Sequence, residues 1–189
     1  SSTGATDDRD LADDAIWLAG VLATAMPDEP ESLGLLALLR LQHARRPSRF
    51  DASGDLVLLR DQDRSLWDRT AIESADRLLE RAAALRRPGR FQLQAAIAAC
   101  HASSPTWEAT DWLQILTLYD LLLHHDGSSV VRLNRAVALG KVRGAQVALE
   151  YVDQLGPGRA RYHLFHAVRA DLLRTLGRPA EADEADRRA

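Results

Sequence analysis

The C-terminal third of the chain repeats at an interval of 34 residues, and this period limits the possible folds more than any other feature. Four residues recur at this interval: Arg135 as Arg169, Ala136 as Ala170, Leu139 as Leu173, and Ala148 as Ala182. Small residues twelve positions apart within such a period are typical of two antiparallel helices that touch where the small side chains lie. Because one pair of helices cannot bury its own apolar face, we expect the pairs to stack.

The composition indicates helices along the whole chain. Of its 189 residues, 31 are Ala and 31 are Leu, against 13 Ile or Val and ten aromatic residues. Ala and Leu favour helices, whereas strands draw on β-branched and aromatic residues. The 34-residue period matches the tetratricopeptide (TPR) pattern. The sequence therefore predicts an all-α fold, a TPR-like solenoid of αα-hairpins preceded by N-terminal helices.

The apolar residues of the N-terminal part recur at helical spacing. Over 8–26 they predict one buried helix face that includes Leu11, Leu18 and Leu22. The segment 29–44 is apolar nearly all round, which is typical of a central helix. A third helix is predicted to begin at Ser65, which has capping-box spacing to Asp68, and to carry Trp67 on its apolar stripe. Two more are expected over 91–102 and 111–125.

One segment, 45–64, breaks the helical pattern. Asp51–Asp55 has the composition of a turn, with apolar residues on both sides, so we expect a short hairpin or an ordered loop. Long connections in helical domains are uncommon and often functional. We expect a linker or tag remnant over 1–7, an N-terminal helical part over 8–110 and repeats over 111–189, joined as one continuous domain.

The charge distribution argues against direct DNA binding by this chain. The net charge of the chain is −3, and residues 1–31 carry a net charge of −7. Residues 40–90 carry a net charge of +4, because eight acidic residues offset most of their twelve arginines, whereas a DNA-binding domain needs a concentrated basic surplus. The single cysteine, Cys100, rules out a disulfide within the chain and fits a reducing cytoplasm as a buried small hydrophobe. No apolar stretch reaches 18 residues, so we expect a soluble, cytoplasmic protein that does not bind membranes. The oligomeric state stays open.

The densest polar cluster lies just after the irregular segment and consists of Asp61, Gln62, Asp63, Arg64, Trp67 and Asp68. Three interpretations remain open: an elaborate helix N-cap with an Asp–Arg ion pair, a partner-binding or docking surface, and catalysis or metal binding. A calcium loop is rejected because its glycine and its terminal glutamate are missing.

No other constellation predicts chemistry. His163 and His166 share a helix face but have no identifiable third metal ligand, and no nucleophile with a base and an orienting group can be assembled. We therefore expect neither an enzyme nor a metal or other cofactor. Tyr119, Asn134 and Arg135 place polar groups on otherwise apolar helices, where they either face a concave groove or bridge helices.

Several motifs together match one known family. They are Arg45-Arg46-Pro47, Leu58-Leu59-x-Asp61-Gln62-Asp63-Arg64-Ser65-x-Trp67-Asp68, Gln92-x-Gln94-Ala95-Ala96-Ile97-Ala98-Ala99, Asp111-Trp112, Leu118-Tyr119-Asp120, Leu133-Asn134-Arg135-Ala136-Val137-Ala138 and Arg169-Ala170-Asp171-Leu172-Leu173. From about residue 8 onward, the chain resembles the long C-terminal extension of a group of extracytoplasmic-function (ECF) sigma factors. It departs at Arg60, where an acid is expected, and at the turn that begins at Asp126.

The resemblance implies a TPR-like extension that regulates its own sigma factor. Its partners would be the sigma core regions of the same full-length protein and RNA polymerase. None of those core regions lies in these 189 residues, which implies a fragment that lacks the promoter-reading part. Our hypothesis is a docking surface formed by Arg45, Arg46 and Arg49 with the polar cluster, and a second surface in the repeat groove.

Two other functions remain open. One is a freestanding TPR-like adaptor that binds peptides in its groove. The other is a small-molecule sensor with a pocket between the N-terminal helices and the repeats, lined by Trp67, Trp112 or Tyr119. A gene that encodes sigma regions in frame upstream of Ser1 would favour the sigma-factor interpretation.

Overall fold

The computed structural model describes the backbone of residues 4–156 and 162–188, and the side chains of 11–156 and 163–188. Within these ranges the regular elements are all helices, and the β-contact found there is one isolated antiparallel bridge between Phe50 and Leu56. The all-α prediction is confirmed, as is the short hairpin in the irregular segment. The chain divides into two compact units, Ser1–Thr110 and Asp111–Ala189.

The first unit is built around its second helix. Its helices are α1 (Gly4–Ala25), α2 (Pro30–Ala44), α3 (Arg69–Ala84) and α4 (Arg90–Ser103), with short 3₁₀ turns at Arg46–Ser48, Leu59–Asp61 and Arg64–Leu66. Helix α2 packs against α1, α3 and α4. A helix that is apolar on all sides needs neighbours on all sides, so the predicted central helix is confirmed.

Helices α2 and α4 approach each other unusually closely. A Cβ on Gly34 would lie 2.5 Å from the backbone nitrogen of Gln92, so only glycine fits at this crossing. One turn earlier on α2, the Glu31 carboxylate accepts hydrogen bonds from the backbone N–H groups of Phe91 and Gln92, at 2.9 and 3.0 Å. A carboxylate at these free N–H groups is favoured by the helix dipole. The crossing is therefore fixed by both shape and charge.

Helix α1 differs from its prediction in its start and in its buried face. It begins at Gly4, inside the segment predicted as a linker. Its buried residues are Ala19 and Ala23, whereas Leu11 and Leu18 are 70% and 62% exposed. The predicted burial of the leucine face is wrong. The large side chains point away from α2 because α1 packs through its small residues.

The third helix begins four residues later than predicted. Asp68 is its N-cap and accepts the backbone N–H of Ala71 at 3.0 Å, while Ser65 lies in a separate 3₁₀ turn. The predicted capping box is therefore wrong. Trp67 precedes the helix with an extended backbone and is not part of its apolar stripe. The reason is local: the Asp63 carboxylate accepts the N–H of Ser65 at 2.9 Å and forms its own turn.

The second unit contains the repeats. Its helices are α5 (Trp112–Leu122), α6 (Ser129–Arg143), α7 (Ala145–Leu155), α8 (Tyr162–Thr175) and α9 (Pro179–Asp186). Helices α6 and α7 form one pair and α8 and α9 the next, with α5 packed on α6. The four alanines of the 34-residue period are fully buried: Ala136, Ala148, Ala170 and Ala182. The TPR-like arrangement is confirmed here.

Candidate functional site

The segment between α2 and α3, which we call the 45–68 loop, is held together by buried polar side chains. Gln62 is buried; its side-chain N–H donates to the Val57 carbonyl at 3.0 Å, and its oxygen accepts from Arg45 Nε at 3.2 Å. Ser48 is also buried and donates to the Arg45 carbonyl at 3.1 Å. A buried amide with both ends satisfied holds the loop in one conformation.

Trp67 and Arg64 anchor the loop to the helices. Trp67 is 3% exposed, and its indole N–H donates to Ser48 Oγ at 2.7 Å. The Arg64 guanidinium stacks over the Trp67 ring at 4.9 Å and donates to the carbonyls of Ser104, at 2.8 Å, and His101. These carbonyls belong to the C-terminal end of α4, where a cation is favoured. The buried side chain of Arg64 therefore links the loop to the C-terminal end of α4.

The charges around this anchor are mostly positive. Burial lowers the pKa of Arg45, and the charges of Arg49 and Arg64 lower it further. Burial also lowers the pKa of Arg64. The pKa of His101 falls to about 4, first through burial and then through Arg64 and Arg45, so this imidazole is neutral at physiological pH. Among the described side chains, no carboxylate lies within ion-pair distance of Arg45, Arg46 or Arg49.

The tip of the loop is a tight, hydrogen-bonded turn. The Asp51 carboxylate accepts the N–H groups of Ser53 and Asp55, both at 2.9 Å, and Gly54 has a φ of +87° that favours glycine. The bridge between Phe50 and Leu56 closes the turn. The tip is therefore ordered by hydrogen bonds within the turn, including those to the Asp51 carboxylate, without burial of its side chains.

Three apolar side chains stand out from this ordered loop. Phe50, Leu56 and Leu58 are 57%, 61% and 53% exposed, and we call them the loop rim. Phe50 and Leu56 are bridge partners, and Leu56 and Leu58 are two residues apart in extended backbone, so all three lie toward one face. Half-buried Arg46 and Arg49 lie at the base of the same hairpin.

The predicted site residues thus divide into inner and outer groups. Gln62, Arg64 and Trp67 are inside, where they support the loop and cannot touch a partner directly. Asp63 and Asp68 are exposed and act as N-caps, Asp63 of the 3₁₀ turn and Asp68 of α3, in agreement with the N-cap interpretation. Hydrogen bonds from the Ser65 hydroxyl and backbone N–H lower the pKa of Asp63. The exposed Asp61 pairs with neighbouring Arg60 at 3.5 Å, not with buried Arg64.

The loop rim was not among the site residues predicted from the sequence. One signal was present: Leu56 and Leu58 belong to a continuous apolar run, Leu56-Val57-Leu58-Leu59, next to a turn, which is consistent with one arm of a hairpin. That pattern is too short to distinguish an apolar face that packs inward from one that is exposed.

In the second unit, the structure assigns Arg135 a bridging role. Its Nε lies 2.6 Å from an Asp120 oxygen of α5, and its guanidinium lies 5.0 Å from the centre of the Tyr151 ring. One repeat later, Arg169 and Asp153 are paired in the same way at 2.8 Å. The first helix of each pair is thus tied to the helix before it.

The remaining two predicted residues of this unit are Tyr119 and Asn134. Both are half-buried. Burial raises the pKa of the Tyr119 hydroxyl to about 12, so it stays protonated. A role in a groove for either residue stays a prediction.

An open groove runs between α1, α2 and α3, with a volume of about 930 Å³. Trp67, which was predicted to line a small-molecule pocket, is not among its lining residues. In the part of the chain that the structure describes, no cluster of three His, Cys, Asp or Glu side chains could hold a metal ion. None of the helices described there is long and apolar enough to cross a membrane.

Fold and site together define a class of protein: a helical chain with TPR-like repeats after a unit that carries a rigid, arginine-rich loop. Residues 1–83, which include this loop, match a family of unknown function (DUF6596). The chain is also 49% identical, over 180 residues, to an uncharacterized protein of Rhizobium meliloti (strain 1021). That match covers 95% of this chain but 43% of the relative, so the chain spans less than half of the relative's length. No solved structure matches the chain.

Proposed function

We propose that this chain is the regulatory, protein-interaction part of an ECF sigma factor and that its loop rim docks on the sigma core regions or on RNA polymerase. The observation that carries the proposal is the apolar rim itself, exposed on a loop that is rigid without a partner. Two of the seven motifs that resemble ECF sigma-factor extensions lie in this loop, and one of them, Leu58–Asp68, is the longest. The greater length of the relative is compatible with a chain attached to further domains.

The loop has the physical properties of a docking element. Its conformation is set by internal hydrogen bonds, so little conformational entropy is lost on binding. Burying one rim side chain, such as Phe50 or Leu56, contributes roughly 1.5 to 3 kcal/mol. Arg46 and Arg49, which have no ion pair among the described residues, would add attraction to an acidic partner surface.

Binding of the chain to purified sigma core regions and to RNA polymerase tests the proposal. Phe50→Glu and Leu56→Glu place a charge in the contact and should weaken binding at least tenfold. Leu113→Glu, an equally exposed leucine of the second unit, is the matched control and should bind like the wild type. Wild-type binding by both rim variants, with helical content unchanged, would contradict the proposal.

The anchor residues test a different aspect of the same surface. Ser48→Ala leaves the buried indole N–H of Trp67 without its acceptor, which costs about 1 to 3 kcal/mol and should loosen the loop. We expect this variant to bind more weakly although Ser48 is itself buried. If instead Asn134→Ala abolishes binding and the rim variants do not, the docking surface lies in the repeats and the freestanding-adaptor function is favoured.

A further inference from the structure

Helix α1 carries more apolar surface than its packing in the structure uses. From Ala15 to Met26 the only polar side chain is Thr24. A helix that is apolar on all sides is normally buried on all sides. Here Ala19 and Ala23 are buried, while the opposite face is open.

That open face, which we call the α1 face, is large. Its members are Leu11 (70% exposed), Trp17 (69%), Leu18 (62%), Val21 (46%), Leu22 (39%) and Met26 (46%). Together they expose on the order of 600 Å² of apolar surface, about as much as the largest patch on a typical monomer. Two such faces in contact would bury roughly 1,200 Å², which is the lower limit for specific, stable interfaces.

The α1 face borders the groove described above. Trp17, Gly20 and Val21 form its α1 wall, and Leu36 and Leu78 lie opposite. Nothing lies within 4 Å of a Cβ built on Gly20, so this mid-helix glycine is not required by any contact within the unit. Glycine weakens a helix interior, but it leaves room for a neighbouring helix to approach. The protruding α1 face thus lies beside a groove, which is the arrangement that a self-complementary interface needs.

The charges along the groove favour one orientation of a second helix. Helix α3 runs antiparallel to α2, because the Asp68 N–H bonds the Ala44 carbonyl at one end and Arg87 lies 4.0 Å from Glu29 at the other. Arg81, which lines the groove, therefore lies toward the C-terminal end of α1. Exposed Asp14 lies at mid-helix, toward the N-terminal end of the α1 face, which runs from Leu11 to Met26. Neither has an ion-pair partner among the described residues.

We propose that two copies of this chain pair through their α1 faces in antiparallel orientation about a twofold axis. Leu11, Leu18 and Leu22 of each copy fill the groove of the other. Asp14 of one copy lies near Arg81 of the other. Opposed helix dipoles also favour this orientation. The surface is separate from the loop rim, so the proposal stands independently of the proposed function.

Sedimentation equilibrium from roughly 1 to 100 µM tests the pairing, since interfaces of modest area commonly bind in the micromolar range. The wild type should show a concentration-dependent monomer–dimer equilibrium. Leu18→Glu should raise the dissociation constant at least tenfold, whereas Leu113→Glu, at 63% exposure, should leave it unchanged. A wild type that is monomeric throughout overturns the proposal and leaves the face to another part of a longer polypeptide. A dimer that is insensitive to Leu18→Glu also overturns it.

Two further variants separate the interface from the fold. Gly20→Leu fills the groove without a clash at its Cβ, so it should keep or raise helical content and still be monomeric. Arg81→Glu should weaken the dimer, and Asp14→Arg in the same chain should restore it by exchanging the two charges. A dimer of unchanged affinity in Gly20→Leu, or no restoration in the double variant, contradicts the antiparallel arrangement.

Discussion

At the scale of single residues, the main finding is that the core of the polar cluster is buried and stabilises the 45–68 loop from its inner side. Gln62, Arg64 and Trp67 are predicted from the sequence to contact a partner, yet they are buried. They form hydrogen bonds with other side chains of the loop and with backbone carbonyls. A buried indole N–H needs an acceptor, and here it is Ser48, nineteen residues earlier. No spacing rule links those two positions.

The histidine next to this cluster gives a prediction about pH. His101 titrates at about 4 in the folded chain and near 6.5 when unfolded, so between these values the unfolded state binds the extra proton. Stability should therefore fall as the pH drops below about 6.5, by at most about 1.4 kcal/mol per pH unit from this residue, and this contribution should level off below about 4. Urea denaturation at a series of pH values measures it.

The comparison with His101→Gln isolates this contribution, because burial lowers the pKa of His166 as well and carboxylates titrate in the same range. The variant should lose less stability than the wild type between pH 6.5 and 4. His124→Gln, at an exposed position, is the control and should follow the wild type. Parallel curves for wild type and His101→Gln would show that His101 is not held neutral.

At the scale of elements, the 34-residue period is repeated in chemistry as well as in packing. The ion pairs Arg135–Asp120 and Arg169–Asp153 join corresponding helices in successive repeats. Both pairs are partly exposed, so each should contribute modestly. Small residues at the helix contacts allow the close approach that brings the charges together. At Gly140, for example, a Cβ atom would lie only 3.2 Å from the Leu172 side chain.

Double-mutant cycles on the two pairs test this equivalence. Arg135→Ala with Asp120→Asn, and Arg169→Ala with Asp153→Asn, should each give a coupling energy of about 0.2 to 1 kcal/mol, equal within error. Arg135→Ala alone should cost more, since it also removes the stacking on Tyr151. Arg143→Ala with Asp120→Asn should give no coupling. A coupling confined to one repeat would contradict a shared role.

At the scale of the whole molecule, the chain is organised as two compact units. The apolar cluster that contains Leu33, Leu41, Trp67 and Ile72 draws all its members from residues before Ser103. The first unit therefore has a core of its own, which is the physical condition for independent folding.

We accordingly expect residues 1–110 to fold alone. Circular dichroism should give high helical content, and thermal unfolding should be cooperative. A truncation at residue 89 removes α4, and with it the partner of Gly34 and the N–H groups that Glu31 caps, so it should lose cooperativity. A fragment 1–110 that is unfolded, or a truncation that is equally stable, would contradict an autonomous core around α2.

The sequence by itself determined what is local. Ala and Leu content predicted the helices, the 34-residue period predicted the repeats, and the apolar segment 29–44 predicted a central helix, because propensity and periodicity act within a few turns of chain. Only the tertiary structure decided which side of an element is covered. It left the leucines of α1 open, turned Gln62 and Trp67 inward and exposed Phe50, because burial depends on which neighbours are present, and those neighbours come from distant parts of the chain.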